Sequence, residues 1–433
     1  MGSSLIDNSE YNPRIVDQKV QEYLDIFGAV EIAGTKWCGK TSTALRHGKS
    51  VSYVDTQIDL IKADKNIALM GEAPHVIDEW QFVPEIWNAV RHSVDATAQK
   101  RGAYILTGSS TPDVSRNTPM HSGAGRIGKI RMYPMSCYET NDSHGKVSLE
   151  GLFNGQFTSC EVSTSAIELV NIACRGGWSE ATHLNAHEAQ TIAAQYVSAI
   201  SNNSIEQLGL NPDVAQRLML SLARNIGQSA TYKTLLKDMY GAEEGNEEEF
   251  LSQTALAHYI ATLKRMYVIE EIPGWVPQAR SPKRFQTKPK RYFSDPSLPV
   301  ALLGMGPEAL LNDWQTFGLI FENMCVRDLS VYINMLPVLD TSPVRYYHDD
   351  SGLEIDAIVE LADGAWAAFE MKAGMDKVPS AITNLKRLRK KLANNPRQRN
   401  PEPAFMAVLV GVGEYAYQAE DGIYVIPLQA LGA

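Results

Sequence analysis

One loop near the start of the chain limits what the first domain can be. The apolar run Ala29 to Ala33 leads into a loop with Gly34 and Gly39, separated by four residues and followed directly by Lys40 and Thr41. Glycines let backbone N–H groups close round a phosphate, and the next helix points its positive end at that phosphate. The lysine would reach the β- and γ-phosphates, and the threonine would coordinate Mg²⁺. The predicted nucleotide-binding residues are Gly34, Thr35, Lys36, Trp37, Cys38, Gly39, Lys40, Thr41 and Ser42.

A carboxylate for the metal is expected at the end of another strand. The segment "HVIDEWQ" supplies Asp78 as the Mg²⁺ partner and Glu79 as the base that polarises the attacking water. The segment "YILTGSS" supplies Thr107 as the candidate sensor of the γ-phosphate. Ser109 is a second candidate, and capping of the next helix is an equally good interpretation of it. An Asp-Glu pair alone is often a solvated strand end, so the preceding phosphate loop carries this prediction.

Two arginines follow in "SGAGRIGKIRMYPMSCYE". Arg126 and Arg131 are candidate arginine fingers that act on a γ-phosphate, in a neighbouring subunit if the protein is a homo-oligomer. The alternative is a basic strand face with no catalytic role.

These segments together resemble the prokaryotic AAA-class P-loop ATPases that carry a C-terminal domain of unknown function. The resemblance covers nearly the whole chain and rests on "GTKWCGKTS", "VIDEWQ", "ILTGSS" and "GAGRIGKIRMYPMSCYE". It implies ATP and Mg²⁺ as cofactors. The bulky pair Trp37-Cys38 inside the loop departs from the pattern of the family.

The size and the composition of the chain fit a soluble multidomain protein. Its 433 residues predict two to four domains. The net charge of -10 argues against a protein that coats nucleic acid non-specifically, although a local basic face remains compatible with it. Five scattered cysteines indicate reduced thiols and a cytoplasmic location. No apolar run approaches the roughly 18 residues of a membrane span.

The order of elements predicts an α/β fold class with distinct parts. The first third alternates strands and helices, which is typical of a parallel sheet. The middle is helical and resembles a winged helix-turn-helix, and the last third reads helix, three strands, helix, strands. We therefore expect a P-loop ATPase core, a helical connection, a winged helix and a restriction-endonuclease-like α/β domain, at residues 1–150, 151–210, 211–290 and 291–433.

A second group of charged residues lies near the C-terminus. Glu370 and Lys372 are two apart on a strand and share a face, and so do Glu354 and Asp356 on the preceding strand. The "ADGA" turn joins the two strands, and Glu322 on the preceding helix can approach the same point. The alternative is a cross-strand salt bridge on a solvent face, which would contribute little stability.

This arrangement resembles the PD-(D/E)xK nuclease fold. The resemblance implies that Asp356 and Glu370 bind a second divalent cation, that Lys372 is an electrostatic or general-base partner, and that Glu322 is an accessory acid.

DNA is the expected partner of these C-terminal parts. The basic stretches "RSPKRFQTKPKR" and "LKRLRKKLANNPRQR" can neutralise phosphates, although charge runs are often only solvated faces. The helix "SQTALAHYIATLKR" would be the recognition helix, with Ser252, Gln253 and His258 near its outer face.

Two functions follow from these patterns. The first is an ATP-hydrolysing protein that couples its nucleotide state to DNA binding or processing through a nuclease-like domain. The second is a nucleotide-dependent switch whose inactive nuclease-like domain recruits a protein or nucleic-acid partner.

Overall fold

The chain folds into two compact units. The computed structural model describes residues 5–6, 11–97, 101–111, 122–241, 251–277, 288–338, 344–394 and 400–433. Unit 1 contains Met1–Pro134 and Arg265–Val268, and unit 2 contains Met135–Lys264 and Ile269–Ala433. Each unit therefore draws on two separated parts of the sequence. The finer division into four domains stays a prediction.

Unit 1 alternates helices and strands along the chain. Its elements are α1 (Val16–Ile26), β1 (Ala29–Gly34), α2 (Lys40–His47), β2 (Ser50–Tyr53), α3 (Ile58–Ala63), β3 (His75–Asp78), α4 (Ile86–Ala96), β4 (Tyr104–Gly108) and β5 (Ile127–Met132). The described strands form one sheet in the order β2-β3-β4-β1-β5, and every neighbouring pair is parallel. The predicted parallel sheet is therefore confirmed.

The sheet of unit 1 is covered on both faces, as parallel sheets require. On one face Val30 and Ile32 pack with Val20 of α1, and on the other Leu106 packs with Val90 of α4. Every residue of β1 is buried, which explains why the segment is apolar except for Glu31, and Glu31 pairs with Lys129 at 3.3 Å. Because all strands run the same way, the residues at their carboxyl ends meet at one edge of the sheet.

Unit 2 contains the remaining elements. In chain order they are β6 (Val147–Ser148), α5 (Leu149–Phe153), β7 (Cys160–Glu161), α6 (Ala166–Arg175), α7 (Ala186–Ala199), α8 (Pro212–Arg224), α9 (Tyr232–Tyr240), α10 (Gln253–Arg265, whose last residue belongs to unit 1), β8 (Ile269–Ile272), β9 (Lys290–Phe293), α11 (Ser297–Leu302), α12 (Pro307–Asn312), α13 (Trp314–Tyr332), β10 (Val344–His348), β11 (Glu354–Glu360), β12 (Trp366–Lys372), α14 (Val378–Ala393), β13 (Phe405–Val410), β14 (Tyr415–Gln418), β15 (Tyr424–Pro427) and β16 (Leu431–Gly432).

The main sheet of unit 2 is mixed. Its order in the described residues is β10-β11-β12-β13-β15-β14-β7. The pairs β12–β13 and β13–β15 are parallel, and the others are antiparallel. The edge strand β7 comes from residues 160–161, and β6 pairs with β16 at the end of the chain. The predicted boundary at residue 291 therefore separates strands that share a sheet.

The middle of unit 2 shows three helices followed by a pair of strands. These are α8, α9 and α10, followed by the antiparallel pair β8–β9. Ser252 caps α10 by accepting a hydrogen bond from the backbone N–H of Ala255 at 3.1 Å. Gln253 and His258 are exposed on this helix. The order matches the sequence expectation, and assignment as a winged helix stays a prediction.

The first helix of the last third, expected from about Leu311 to Met335, begins slightly later, as α13. A separate helix, α12, ends at Asn312, and α13 begins after Asp313, whose side chain accepts a hydrogen bond from the backbone N–H of Thr316 at 3.0 Å. An aspartate that bonds the backbone in this way starts a helix, which explains why α13 begins there.

A buried arginine joins distant segments of unit 2. The guanidinium of Arg327 lies 3.1 Å from Asp295 and 2.5 Å from Asp328, and both carboxylates are fully buried. Asp295 also accepts a hydrogen bond from the N–H of Gly177 at 2.8 Å, and Asp328 accepts one from Cys137 at 3.1 Å. One ionic network therefore holds two segments against the middle of α13. These are the residues just before α11 and the first residues of the connection between α6 and α7.

We predict that Arg327→Met lowers the free energy of unfolding of unit 2 by about 3–5 kcal/mol, because two buried carboxylates would lose their counter-charge. Hydrogen exchange of α13 and β12 peptides in the full chain measures this loss. The matched control is Arg224→Met, which removes an exposed ion pair with Asp238 and should lower stability by less than about 1 kcal/mol. Equal effects of the two substitutions would contradict the prediction.

Candidate functional site

The glycine loop between β1 and α2 leaves no room for side chains at its base. A Cβ at Gly34 would lie 2.3 Å from the carbonyl oxygen of Met132. Gly39 has a left-handed backbone with φ 95° and stands directly before α2. The Nζ of Lys40 donates to the carbonyl of Thr35 at 2.8 Å and is buried within the loop. The glycine loop therefore turns tightly into the start of α2, and phosphate binding by its residues stays a prediction.

The bulky residues of the loop do not fill its interior. Trp37 has a left-handed φ of 63° and its side chain is 46% exposed. Cys38 is buried on the opposite side, with its thiol directed at the carbonyl of Met132 at 3.8 Å. Lys36 is exposed, and Ser42 is half-buried in the first turn of α2. The side chain of Trp37 therefore points toward solvent, and backbone atoms of the loop line its concave side.

An arginine that the sequence analysis did not identify supports this loop. Arg14, just before α1, donates to the carbonyl of Cys38 at 2.8 Å and to that of Tyr133 at 2.9 Å. Nearby, the hydroxyl of Tyr11 lies 3.0 Å from that of Thr43 on α2. No local pattern marks Arg14, because its partners are more than twenty residues away in the sequence.

Three predicted residues meet beside the loop. Thr41 donates to Oδ1 of Asp78 at 2.8 Å, and Thr107 donates to the same oxygen at 2.6 Å. Thr107 also accepts a hydrogen bond from the backbone N–H of Glu79 at 3.1 Å. Burial raises the pKa of Asp78, and the nearby charge of Glu79 adds to this, whereas the two threonine bonds oppose it. A cation placed beside Asp78 would stabilise its charged form.

The carboxylate of Glu79 is held by two neighbours. It accepts hydrogen bonds from Ser109 at 3.0 Å and from Gln81, whose amide also contacts Ser109 at 3.2 Å. The backbone of Glu79 is left-handed with φ 55°, a sparsely populated conformation for a residue with a side chain. Gln81 was missed because nothing in the sequence distinguishes it from other polar residues that follow a strand.

The two arginines lie in different places. Arg126 precedes β5 and pairs with Asp95 at 2.9 Å, at the amino-terminal end of the strands. The glycine loop lies at their carboxyl-terminal end. Five residues of a strand span about 17 Å, so Arg126 does not reach the loop of its own unit. Arg131 lies near the loop, with its guanidinium 4.9 Å from the ring of Tyr133 and 4.0 Å from that of Tyr267. Action of either arginine in a neighbouring subunit stays a prediction.

A compact charged group forms where β11 pairs with β12. The Nζ of Lys372 lies 2.9 Å from Asp356 and 2.6 Å from Glu370. Asp356 also accepts a hydrogen bond from the N–H of Met371 at 2.7 Å. Asn384 of α14 donates to the second oxygen of Glu370 at 3.1 Å. Asn384 was not predicted from the sequence, although its position four residues before the buried Leu388 places it on the core-facing stripe of the helix.

Burial controls the ionisation of these side chains. It raises the pKa of Glu370 to about 8, aided by the charge of Asp356 and partly opposed by Lys372. Burial also acts against the charged forms of Asp356 and Lys372. Their attraction outweighs it, so the pKa of Asp356 is lowered and that of Lys372 is raised. The lysine therefore remains a cation beside the carboxylate of Asp356.

Glu322 bonds to a different lysine. It accepts hydrogen bonds from the hydroxyl of Tyr292 at 2.5 Å and from Lys290 at 3.2 Å. Lys290 also pairs with Glu354 at 2.5 Å. Burial raises the pKa of Glu322, and the nearby charge of Asp356 raises it further. Glu354, predicted to converge with Asp356, is thus joined to Glu322 through a lysine from β9.

The described residues contain neither a preformed cluster of three metal-ligating side chains nor a membrane-spanning helix. There, no set of three or more histidine, cysteine, aspartate or glutamate side chains is arranged to hold a metal ion. Nor does any helix among them have the length and apolar character needed to cross a bilayer.

The basic stretches are only partly described. Residues 280–287 and 395–399 lie outside the described ranges. On α14, Lys386 pairs with Asp421 at 2.6 Å, and Lys391 is also ion-paired. Part of the predicted phosphate-binding charge is thus already neutralised within unit 2.

Three family models match separate parts of the chain. Residues 27–141 match an AAA domain, residues 167–309 match a domain of unknown function (DUF8612), and residues 317–431 match another domain of unknown function (DUF4143). No curated protein matches the chain. The AAA match, the glycine loop and the parallel sheet support a P-loop ATPase domain in unit 1.

Several solved structures resemble parts of the chain at low identity. The Walker-type ATPase PABY2304 of Pyrococcus abyssi is 13% identical, with 69% of this chain and 95% of that chain covered and a TM-score of 0.41. Cdc6p from Pyrobaculum aerophilum is 13% identical, with 62% and 92% covered and a TM-score of 0.24. The Aeropyrum pernix ORC1 protein in complex with DNA is 13% identical, with 71% and 97% covered and a TM-score of 0.29. TM-scores this low do not establish a shared overall fold.

The raised pKa of Glu370 predicts a pH-dependent stability. A free glutamate has a pKa of 4.5, so native unit 2 holds this proton more tightly than the unfolded chain does. The contribution of Glu370 to the free energy of unfolding should therefore be fully present below about pH 4.5 and be lost as the pH rises through about 8. Glu370→Gln should flatten the profile across this range. Urea unfolding in EDTA at several pH values compares the two proteins, and parallel profiles would show that another group is responsible.

Proposed function

We propose that unit 1 binds ATP together with Mg²⁺ and hydrolyses the nucleotide. The observation that carries this proposal is the convergence of Thr41 and Thr107 on one oxygen of Asp78, directly beside the glycine loop. Hydroxyl and carboxylate oxygens are the ligands that Mg²⁺ prefers. Bound Mg²⁺ would neutralise phosphate charge during the reaction.

Each residue at the nucleotide site has a distinct role in this proposal. Backbone N–H groups from Gly34 to Ser42 surround the phosphates, and Lys40 supplies the compact positive charge. Thr41 and Asp78 would hold the metal, and Glu79 would orient and deprotonate the attacking water. Thr107 bonds to both Asp78 and the backbone of Glu79. It would therefore keep the metal-binding carboxylate and the general base in a fixed relative position.

The proposal extends to assembly. Arg131 lies close to the glycine loop but is stacked between aromatic rings, and Arg126 lies at the far edge of the sheet. We therefore assign an arginine finger to an adjacent copy in a homo-oligomer, with Arg126 the better exposed of the two.

We predict that Lys40→Ala abolishes ATP hydrolysis and weakens nucleotide binding. Glu79→Gln should still bind ATP but lower kcat by about 10²-fold or more, because general base catalysis contributes about 10²–10⁴-fold. Steady-state phosphate release and nucleotide binding measure the two effects separately. Lys49→Ala, which removes an exposed lysine paired with Glu72, is the control and should behave as wild type. Equal turnover in wild type and Glu79→Gln would remove Glu79 from the mechanism.

A second function is proposed for unit 2: metal-dependent cleavage of DNA phosphodiester bonds. It is supported by the convergence of Asp356, Glu370 and Lys372 on the paired strands β11 and β12. Asp356 and Glu370 would hold one divalent cation, which supplies charge neutralisation at the phosphate. Lys372 would orient or activate the attacking water, and Asn384 fixes Glu370. ATP hydrolysis in unit 1 would be coupled to this DNA processing.

We predict that the full chain nicks supercoiled plasmid DNA in Mn²⁺ or Mg²⁺ and that Lys372→Ala loses this activity while its ATP hydrolysis is unchanged. The control is Lys377→Ala, because Lys377 is an exposed lysine of the same region. Absence of nicking by wild type would favour the alternative, a nucleotide-dependent switch whose nuclease-like domain only recruits a protein or nucleic-acid partner.

A further inference from the structure

The ammonium of Lys290 lies between two carboxylates, where a metal ion could otherwise bind. Its Nζ lies 3.2 Å from Glu322 on α13 and 2.5 Å from Glu354 on β11, so one ammonium bridges carboxylates from two different elements. The lysine side chain is 3% exposed. Its Nζ also lies 5.5 Å from the centre of the Tyr346 ring, whose face attracts cations. A lysine buried this deeply is held only by its counter-charges.

The two lysines divide the four acidic side chains between them. Lys372 bridges Asp356 and Glu370, and Lys290 bridges Glu322 and Glu354. Glu354 and Asp356 are two residues apart on β11 and share a face of that strand, so the two groups are neighbours. The surroundings of the two lysines differ, however. Lys372 is 23% exposed in its side chain, whereas Lys290 is almost fully enclosed and Glu322 has a further bond from Tyr292.

We propose that Lys290 permanently occupies the position of a second divalent cation, so that unit 2 binds one catalytic metal ion, at Asp356 and Glu370. This inference rests on the phosphodiester cleavage proposed above. Lys290 is a positioning residue here. Its single positive charge neutralises Glu322 and Glu354 without offering the open coordination positions that a metal would present to substrate.

The position of Lys290 in the fold supports a fixed role. It is the first residue of β9, which pairs with β8 outside the main sheet of unit 2. Two-metal phosphodiesterases hold both ions with shared or adjacent carboxylates about 3.5–4 Å apart. In unit 2 the ammonium of Lys290 already bridges Glu322 and Glu354. A second metal would have to displace a buried lysine that pairs with two acids.

The test counts metal ions in the full chain without nucleotide. Asp78→Asn is present in every sample, so that unit 1 does not contribute a metal carboxylate. Titration with Mn²⁺ to millimolar concentration, followed by the electron paramagnetic resonance of free Mn²⁺, gives the stoichiometry. We expect one ion per chain in this parent, two in the Lys290→Gln variant and one in Lys290→Arg. Lys288→Gln is the matched control, because Lys288 and Lys290 line one cavity of about 840 Å³. This substitution should leave the count at one.

Each outcome decides a different part of the inference. A count of one in both the parent and Lys290→Gln, or of two in the parent, overturns the role of Lys290. No ion in the parent but one in Lys290→Gln supports that role and rejects the metal site at Asp356 and Glu370. No ion in either protein rejects both.

The folding of Lys290→Gln supplies a second test. Without Lys290 the two glutamates repel each other, so thermal unfolding should begin at a lower temperature, and millimolar Mn²⁺ should restore most of the loss. The double variant Lys290→Gln with Glu354→Gln should show no such recovery, because one of the two carboxylates is absent. If Mn²⁺ does not recover the folded form of Lys290→Gln, the proposal is wrong.

Discussion

The buried guanidinium of Arg327 determines how unit 2 is assembled. It holds the carboxylates of Asp295 and Asp328 at ion-pair distance in a site without solvent, and these in turn bind backbone N–H groups of Gly177 and Cys137. Such a network is strongly destabilising when one partner is lost. It places the start of α11 against α13, and α13 carries Glu322 toward the main sheet. The geometry of the charged groups near β11 and β12 therefore depends on an interaction remote from them.

The fold of unit 1 followed from the sequence to a large extent. The alternation of strands and helices in the first third predicted its parallel sheet, and such a sheet buries its strands on both faces. Asp78 and Thr107 were predicted to lie near the glycine loop because parallel strands end at one edge. Arg14 and Gln81 were not predicted. Their roles depend on partners brought close only by folding, and a single polar residue carries no periodic signal.

The central strands of unit 2 were predictable, and its site was less so. The turn "ADGA" and the alternation of β11 and β12 placed Asp356 beside Glu370. The pairing of Lys290 with Glu322 and Glu354 was not visible, because these residues lie 32 and 64 positions away from the lysine in the sequence. Strand β7 was missed for a related reason: two residues are too few to show alternation. Local sequence patterns therefore predict helices and strands. Which charged residues pair with each other depends on the tertiary structure.

The four residues Arg265–Val268 have a consequence for how this protein can be divided. They belong to unit 1, where the hydroxyl of Tyr267 lies 2.7 Å from that of Thr111. A gene fragment that stops at Pro134 would encode every strand of the parallel sheet and still lack this part of the unit. Recombination that exchanges the ATPase as one continuous block would leave the segment behind. We therefore expect the two units to be inherited together, as one evolutionary module rather than as interchangeable parts.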